Sequence, residues 1–181
     1  MSVNFQERSN HIWRICDDVL RDVFKEKEYG DVILPFILLR RLDCVLEQHK
    51  DEVIKLYKEY KSKVDDPTPI ILGKINTTFF NYSKYDLNRL KQDSKNIHVN
   101  FQNYLGGYSE NVIEIIENFH LEEPVKRLKK NKRLYQFIET FTEEDLHPDK
   151  VSNHTMGLIF EELLRISSEK SNETSGQYYT P

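Results

Sequence analysis

Apolar residues recur at helical spacing across 5–27, where Ile12, Cys16, Val19, Leu20, Val23 and Phe24 are separated by Arg, Asp and Lys. This predicts an amphipathic helix with one buried face. The longest apolar run, 32–39, read alone suits a buried strand, yet it continues into Leu42, Val45, Leu46 and His49 at steps of three and four. A second helix is therefore predicted, with both flanks of its start buried. Asp31 is placed to cap it, and Pro35 then falls in a first turn, where the amides have no intrahelical acceptor. The pattern fades by Val64, and Asp65-Asp66-Pro67-Thr68-Pro69 predicts a loop. The β-branched and aromatic residues of 70–82 (Ile70, Ile71, Thr77, Thr78, Phe79, Phe80) allow one or two short strands or irregular packing on the helices. Further helices are predicted around 87–92 and 97–105, then a Gly106-Gly107 turn. A helix capped by Ser109 follows through Phe119, and then a segment over 124–141 broken near Asn131. Thr142 with Asp145 approximates a capping box. Pro148 precedes a last helix over 153–169 with Met156, Ile159, Phe160, Leu163 and Leu164 as its buried stripe, and 171–181 reads as a polar loop. No repeat recurs at periods of about 20 to 50 residues.

These elements describe a mainly α, multi-helix domain, and composition agrees. The 181 residues include 6 glycines, where average usage of about 7% predicts about a dozen. Few turns are expected to demand positive φ, and no glycine-rich loop can cradle a phosphate. The net charge of −4 and a pI near 5.9 mean that the domain projects no overall positive field. Any nucleic-acid contact must be local or borrowed from a partner. Cys16 and Cys44 sit in apolar helical patterns and read as small buried hydrophobes. No basic stretch leads into an apolar one at the N-terminus, and the 32–39 run is far short of the roughly 18 residues of a membrane span. A soluble cytoplasmic protein with no membrane partner is expected.

The search for chemistry mostly returns exclusions. His11, His49, His98, His120, His147 and His154 never pair at the i, i+4 spacing of a helical zinc site. Gly107-Tyr108-Ser109-Glu110-Asn111 lacks the second glycine of a nucleophile elbow. Adjacent acidic pairs such as Glu161-Glu162 point about 100° apart on a helix, and no GxGxxG or Walker pattern occurs. Lys55, Lys58, Lys61 and Lys63 interleave with Glu59 and read as ordinary helix solvation. The densest charge cluster is Lys126, Arg127, Lys129, Lys130, Lys132 and Arg133, followed by Tyr135 and Phe137. It suits contacts to a phosphate backbone, or else a solvated helical face.

Two stretches carry a resemblance. Met156-Gly157-Leu158-Ile159-Phe160-Glu161-Glu162-Leu163-Leu164, then Ser167-Ser168-Glu169 and Gly176-Gln177-Tyr178-Tyr179-Thr180-Pro181, form one. Ile12-Trp13, Asp17 or Asp18, Leu20-Arg21, Tyr29, Ile33-Leu34-Pro35 and Leu39-Arg40-Arg41-Leu42-Asp43 form the other. The chain resembles the N-terminal part of the modification subunit of type I restriction–modification systems. The resemblance implies a helical domain over 1–170, and over 171–181 a linker with the first motif of an S-adenosylmethionine-dependent domain. In the family that domain methylates adenine at N6 in DNA, gripping a flipped base with an Asn-Pro-Pro-aromatic motif. No two prolines here are adjacent, so no catalytic residue is expected and the chain alone is expected to be silent and to hold no cofactor. Gln177, Tyr178, Tyr179, Thr180 and Pro181 are implied to border the S-adenosylmethionine pocket of the longer protein. The helical domain is implied to clamp DNA and to assemble with the specificity and restriction subunits, with the six cations as backbone contacts. A free-standing helical interaction module, and the same domain in a single-chain restriction–methylation enzyme, are the alternatives.

Overall fold

The computed structural model describes residues 4–179, with side chains through Glu173. Helix α1 (Phe5–Leu20) starts where the Asn4 side chain accepts from the amides of Gln6 and Glu7 at 3.0 and 3.2 Å. It stops short of the expected Lys27. Asp22, at φ 70°, reverses the chain into a 3-10 turn at Glu26–Glu28.

Helix α2 (Tyr29–Leu46) begins before Asp31, which sits in its first turn and is not its cap. Pro35 is consequently interior and removes the amide that would reach the carbonyl of Asp31, an exposed residue. Helix α2 is buried almost all round. Phe36 lies parallel to Phe101 at 5.5 Å and edge-on to Phe137 at 4.8 Å, geometries that aromatic rings favour.

After a 3-10 turn at Glu47–His49 comes α3 (Lys50–Tyr60), and then α4 (Thr68–Ile75), which replaces the strand considered for 70–82. Ile71 and Ile75, one turn apart, reach Val53, Leu56 and Phe80 in a small second core. That burial outweighs the β preference of isoleucine. Among the described residues no strand forms, and the nearest thing is a single bridge between Asn81 and Tyr108. There the Tyr82 amide donates to the Gly107 carbonyl at 2.8 Å. A Cβ on Gly107 would lie 2.7 Å from the Ser83 nitrogen, so only glycine fits.

Helices α5 (Leu87–Leu90), α6 (Ile97–Gly106), α7 (Glu110–Asn118), α8 (Glu122–Lys130) and α9 (Leu134–Thr142) follow near their expected places. Ser109 occupies the cap position of α7, but its hydroxyl donates to Asn111 and accepts from the Phe80 amide, tying α7 to residue 80. Thr142 ends α9 with its hydroxyl on the Glu139 carbonyl, so the expected capping box is absent.

Segment 143–152 is strapped instead by two arginines of α2. Arg40 donates to the carbonyls of Glu144 and Thr142. Buried Arg41 donates to the carbonyls of Leu146 and Val151 at 2.7 Å each, and to the Asn153 side chain at 2.8 Å. These bonds fix the start of α10 (Asn153–Tyr179), which runs ten residues beyond the expected Glu169 and through Gly176, with no proline in 170–179 to stop it. Its buried side is Met156, Ile159, Glu162, Leu163 and Ile166, whereas Leu164 is exposed. Both cysteines are free and buried, as expected.

Candidate nucleic-acid interface

Helix α8, nine residues long, is amphipathic over about two and a half turns. Val125 and Leu128 point inward, Glu122 and Glu123 occupy the first turn, and the cations gather at the C-terminal end, where the helix dipole favours them. The Asn131 side-chain amide donates to the Arg127 carbonyl at 2.8 Å, and Lys132, at φ 59°, turns the chain into α9. The helix therefore presents its cations from a fixed frame.

The six cations divide by chemistry. Arg127 lies over the Phe24 ring at 4.6 Å, with Glu28 at 3.3 Å and the Val23 carbonyl also in reach. Arg133 donates to the Val19 carbonyl at 2.8 Å, near the end of α1. Both arginines thus hold α8 against the α1–α2 connection, a use suited to a planar, multi-donor guanidinium. Lys126, Lys129, Lys130 and Lys132 are exposed, and none forms an ion pair among the described residues. Phe24 and Glu28 are the contributors that sequence reasoning misses: Glu28 stands 99 positions from Arg127. The available signal was the choice of Arg at two positions in an otherwise lysine-rich run.

Between α6 and α8 lies an open groove of about 420 Å³, floored by Phe101, Leu105, Ile116 and Val125 and edged by Lys126, Lys129 and His98 and by the carboxylates Glu117 and Glu122. Burial, and after it the Lys129 charge, lower the His98 pKa below its ordinary value. Of the residues expected at a cofactor pocket, Gln177, Tyr178 and Tyr179 fall in the final turn of α10, while Thr180 and Pro181 lie outside the described residues.

The most buried ionisable cluster is elsewhere. Asp43 accepts from the hydroxyls of Tyr104 and Tyr108 at 2.7 and 2.8 Å and from the Leu87 amide at 2.8 Å. Burial pushes its pKa up to about 6. Nearby Lys50 donates to Asn81 at 3.0 Å, and burial pushes it down to about 8. Shifted groups of this kind mark many active sites, but the adjoining void is about 10 Å³, room for a single water. The cluster is a structural tie between α2, α5 and α6. Among the described residues no group of His, Cys, Asp or Glu is arranged to hold a metal ion, and no helix is long and apolar enough to cross a membrane.

The family model of the HsdM N-terminal domain matches residues 9–141, well over half of the chain. The chain belongs to this family. No curated protein and no solved structure matches it. The HsdM N-terminal domain is that of the methyltransferase subunit of type I restriction–modification complexes, whose membership implies subunit partners. The match runs from within α1 into α9 and includes all six cations of the α8 region. Helix α10 lies beyond the match. The Arg40-Arg41-Leu42-Asp43 stretch that carried part of the resemblance is structural in this HsdM domain: it supplies both arginine straps and the buried carboxylate.

Proposed function

We propose that this HsdM N-terminal domain grips the DNA backbone through Lys126, Lys129, Lys130 and Lys132, closing on DNA together with the methyltransferase domain of its subunit. The observation that carries the reading is the division of labour on α8. Two arginines lock the helix to the body, and four unpaired lysines face solvent in a chain whose net charge is −4. Phosphate contacts of this kind position DNA without reading it, which leaves target choice to a specificity subunit. The open apolar groove beside the lysines supports the assembly half of the reading, because contiguous exposed apolar surface is what subunit contacts cover. The same reading has the longer subunit methylate adenine at N6 with S-adenosylmethionine, with Gln177, Tyr178, Tyr179, Thr180 and Pro181 bordering the cofactor. The restriction subunit completes the complex in the cytoplasm, and the chain alone transfers no methyl group.

The test is charge reversal of Lys126, Lys129, Lys130 and Lys132 to Glu in the assembled complex. DNA affinity falls, and the slope of log K against log salt drops by about 3.5, near 0.9 per lost phosphate contact. An unchanged slope means that the lysines only solvate the helix.

A further inference from the structure

A second cationic surface lies on the other side of α6. A cavity of about 250 Å³ is lined by Tyr57 and Lys58 of α3 and Lys61 just past its end, by Tyr82 and Lys84 of the irregular segment after α4, and by Asn103 of α6. Lys84 also borders a neighbouring cavity of about 450 Å³ with Tyr85, Arg89 and Asp93, where Arg89 pairs with Asp51 at 2.9 Å, so the track of unpaired cations is the short one of Lys58, Lys61 and Lys84. Lys58, Lys61 and Lys84 are exposed, and none forms an ion pair among the described residues. Lys84 rests over the Tyr85 ring at 5.2 Å.

The frame beneath the track is rigid. Ser83 is buried, its amide donates to Asn81 and its hydroxyl donates to Asn103 at 2.6 Å, while the Gly107 bridge fixes Tyr82. Tyr57 and Tyr82 stack on one another at 3.7 Å and pack on the second core. Local charge follows the same geography. The charged residues that line the two cavities are Lys58, Lys61, Lys84 and Arg89 against Asp93, in a chain of −4.

We infer that this track is a second binding site for the phosphodiester backbone of duplex DNA, so that the domain holds DNA on both sides of α6. Three unpaired lysines converging from two segments suit phosphates as point charges. The tyrosine rings are already engaged with each other and with the core, which makes them a rigid shelf and not a stacking platform for unpaired bases. An acidic peptide laid along the track would also need partners for its own backbone, and no strand edge is exposed among the described residues. The inference rests on the reading that this domain handles DNA, but it uses different residues and a different face.

The experiment measures binding of this chain to a fluorescein-labelled duplex of roughly 30 base pairs by anisotropy, across a salt series. The triple variant Lys58→Glu, Lys61→Glu, Lys84→Glu is expected to bind on the order of a hundredfold more weakly near 0.1 M salt and to lose about 2.5 from the salt slope. Its unfolding temperature, read by circular dichroism, stays within about 2 °C of wild type because all three side chains are exposed. An unchanged slope overturns the track. Loss confined to the α8 quadruple variant sinks the track and leaves the first site standing, and loss confined to the triple variant does the reverse. No binding by wild type overturns the track, while the α8 reading stands or falls on the assembled complex. Tighter binding of a single strand of equal length, or equal competition by polyglutamate, overturns the duplex assignment.

Discussion

Asp22, Asn76, His120 and Lys132 hold left-handed backbone at φ 70°, 55°, 51° and 59°, and no described glycine does. Each lies just past the end of a helix, where glycine is the usual choice. Glycine scarcity therefore did not remove turns of positive φ, as composition suggested; other residues carry the strain, at about 1 kcal/mol each. Asp, Asn and His enter this region more readily than other side chains, but none as freely as glycine, and His120 has no short carboxyl or amide with which to bond its own backbone. His120→Gly should raise stability by about 1 kcal/mol, read as a rise of about 3 °C in the unfolding midpoint. A fall would show that the imidazole makes a contact of greater worth. Asp43 sets a pH dependence at the same scale. The native chain keeps its proton up to about pH 6, and the unfolded chain releases it near pH 4. Between those values the native state binds more protons, so raising the pH costs stability through this group. Asp43→Asn does not titrate. It is destabilised at pH 4 by the Leu87 amide left facing a side-chain NH₂. That deficit against wild type should shrink between pH 4 and 6 by about 2 kcal/mol. Denaturant titrations across the range would refute this if the deficit stayed constant.

At the scale of elements, periodicity located α6, α7, α8 and α9 because each puts apolar side chains on one face at steps of three and four. It failed where the deciding partner is distant. The run Ile70-Ile71-Leu72 reads as strand until Val53 and Leu56 are known to face it, and the arginines of 127 and 133 read as free cations until Phe24, Glu28 and Val19 are in view. The straps on 143–152 were equally hidden, since Arg41 reaches across 105 and 110 positions to its acceptors. Those bonds predict a local effect. Arg41→Ala leaves two buried carbonyls without donors and should cost about 3 kcal/mol. Amide exchange should speed up over 143–155 more than in α1. Uniform acceleration across the domain would mean that Arg41 supports the whole core and not the strap.

For the whole molecule, charge is arranged, not merely summed. The overall −4 argued against a nucleic-acid partner at large, yet the surplus of cations sits in two stretches on either side of α6. The α8 cluster was legible because its cations are contiguous. The track was not, because Lys84 joins Lys58 and Lys61 only through the fold. The described helices share one main core through α2, with the α3–α4 pair on a smaller one.

Helix α10 has 27 residues and spans roughly 40 Å at 1.5 Å per residue. A rod of that length turns small angles into large arcs: a tilt of about 10° at Asn153 sweeps the far end through about 7 Å. Such a pointer is held at two kinds of place: Met156, Ile159, Leu163 and Ile166 bury its near half against the body, and the guanidinium of Arg41, bonded to the Leu146 and Val151 carbonyls and to the Asn153 side chain, pins the pivot itself.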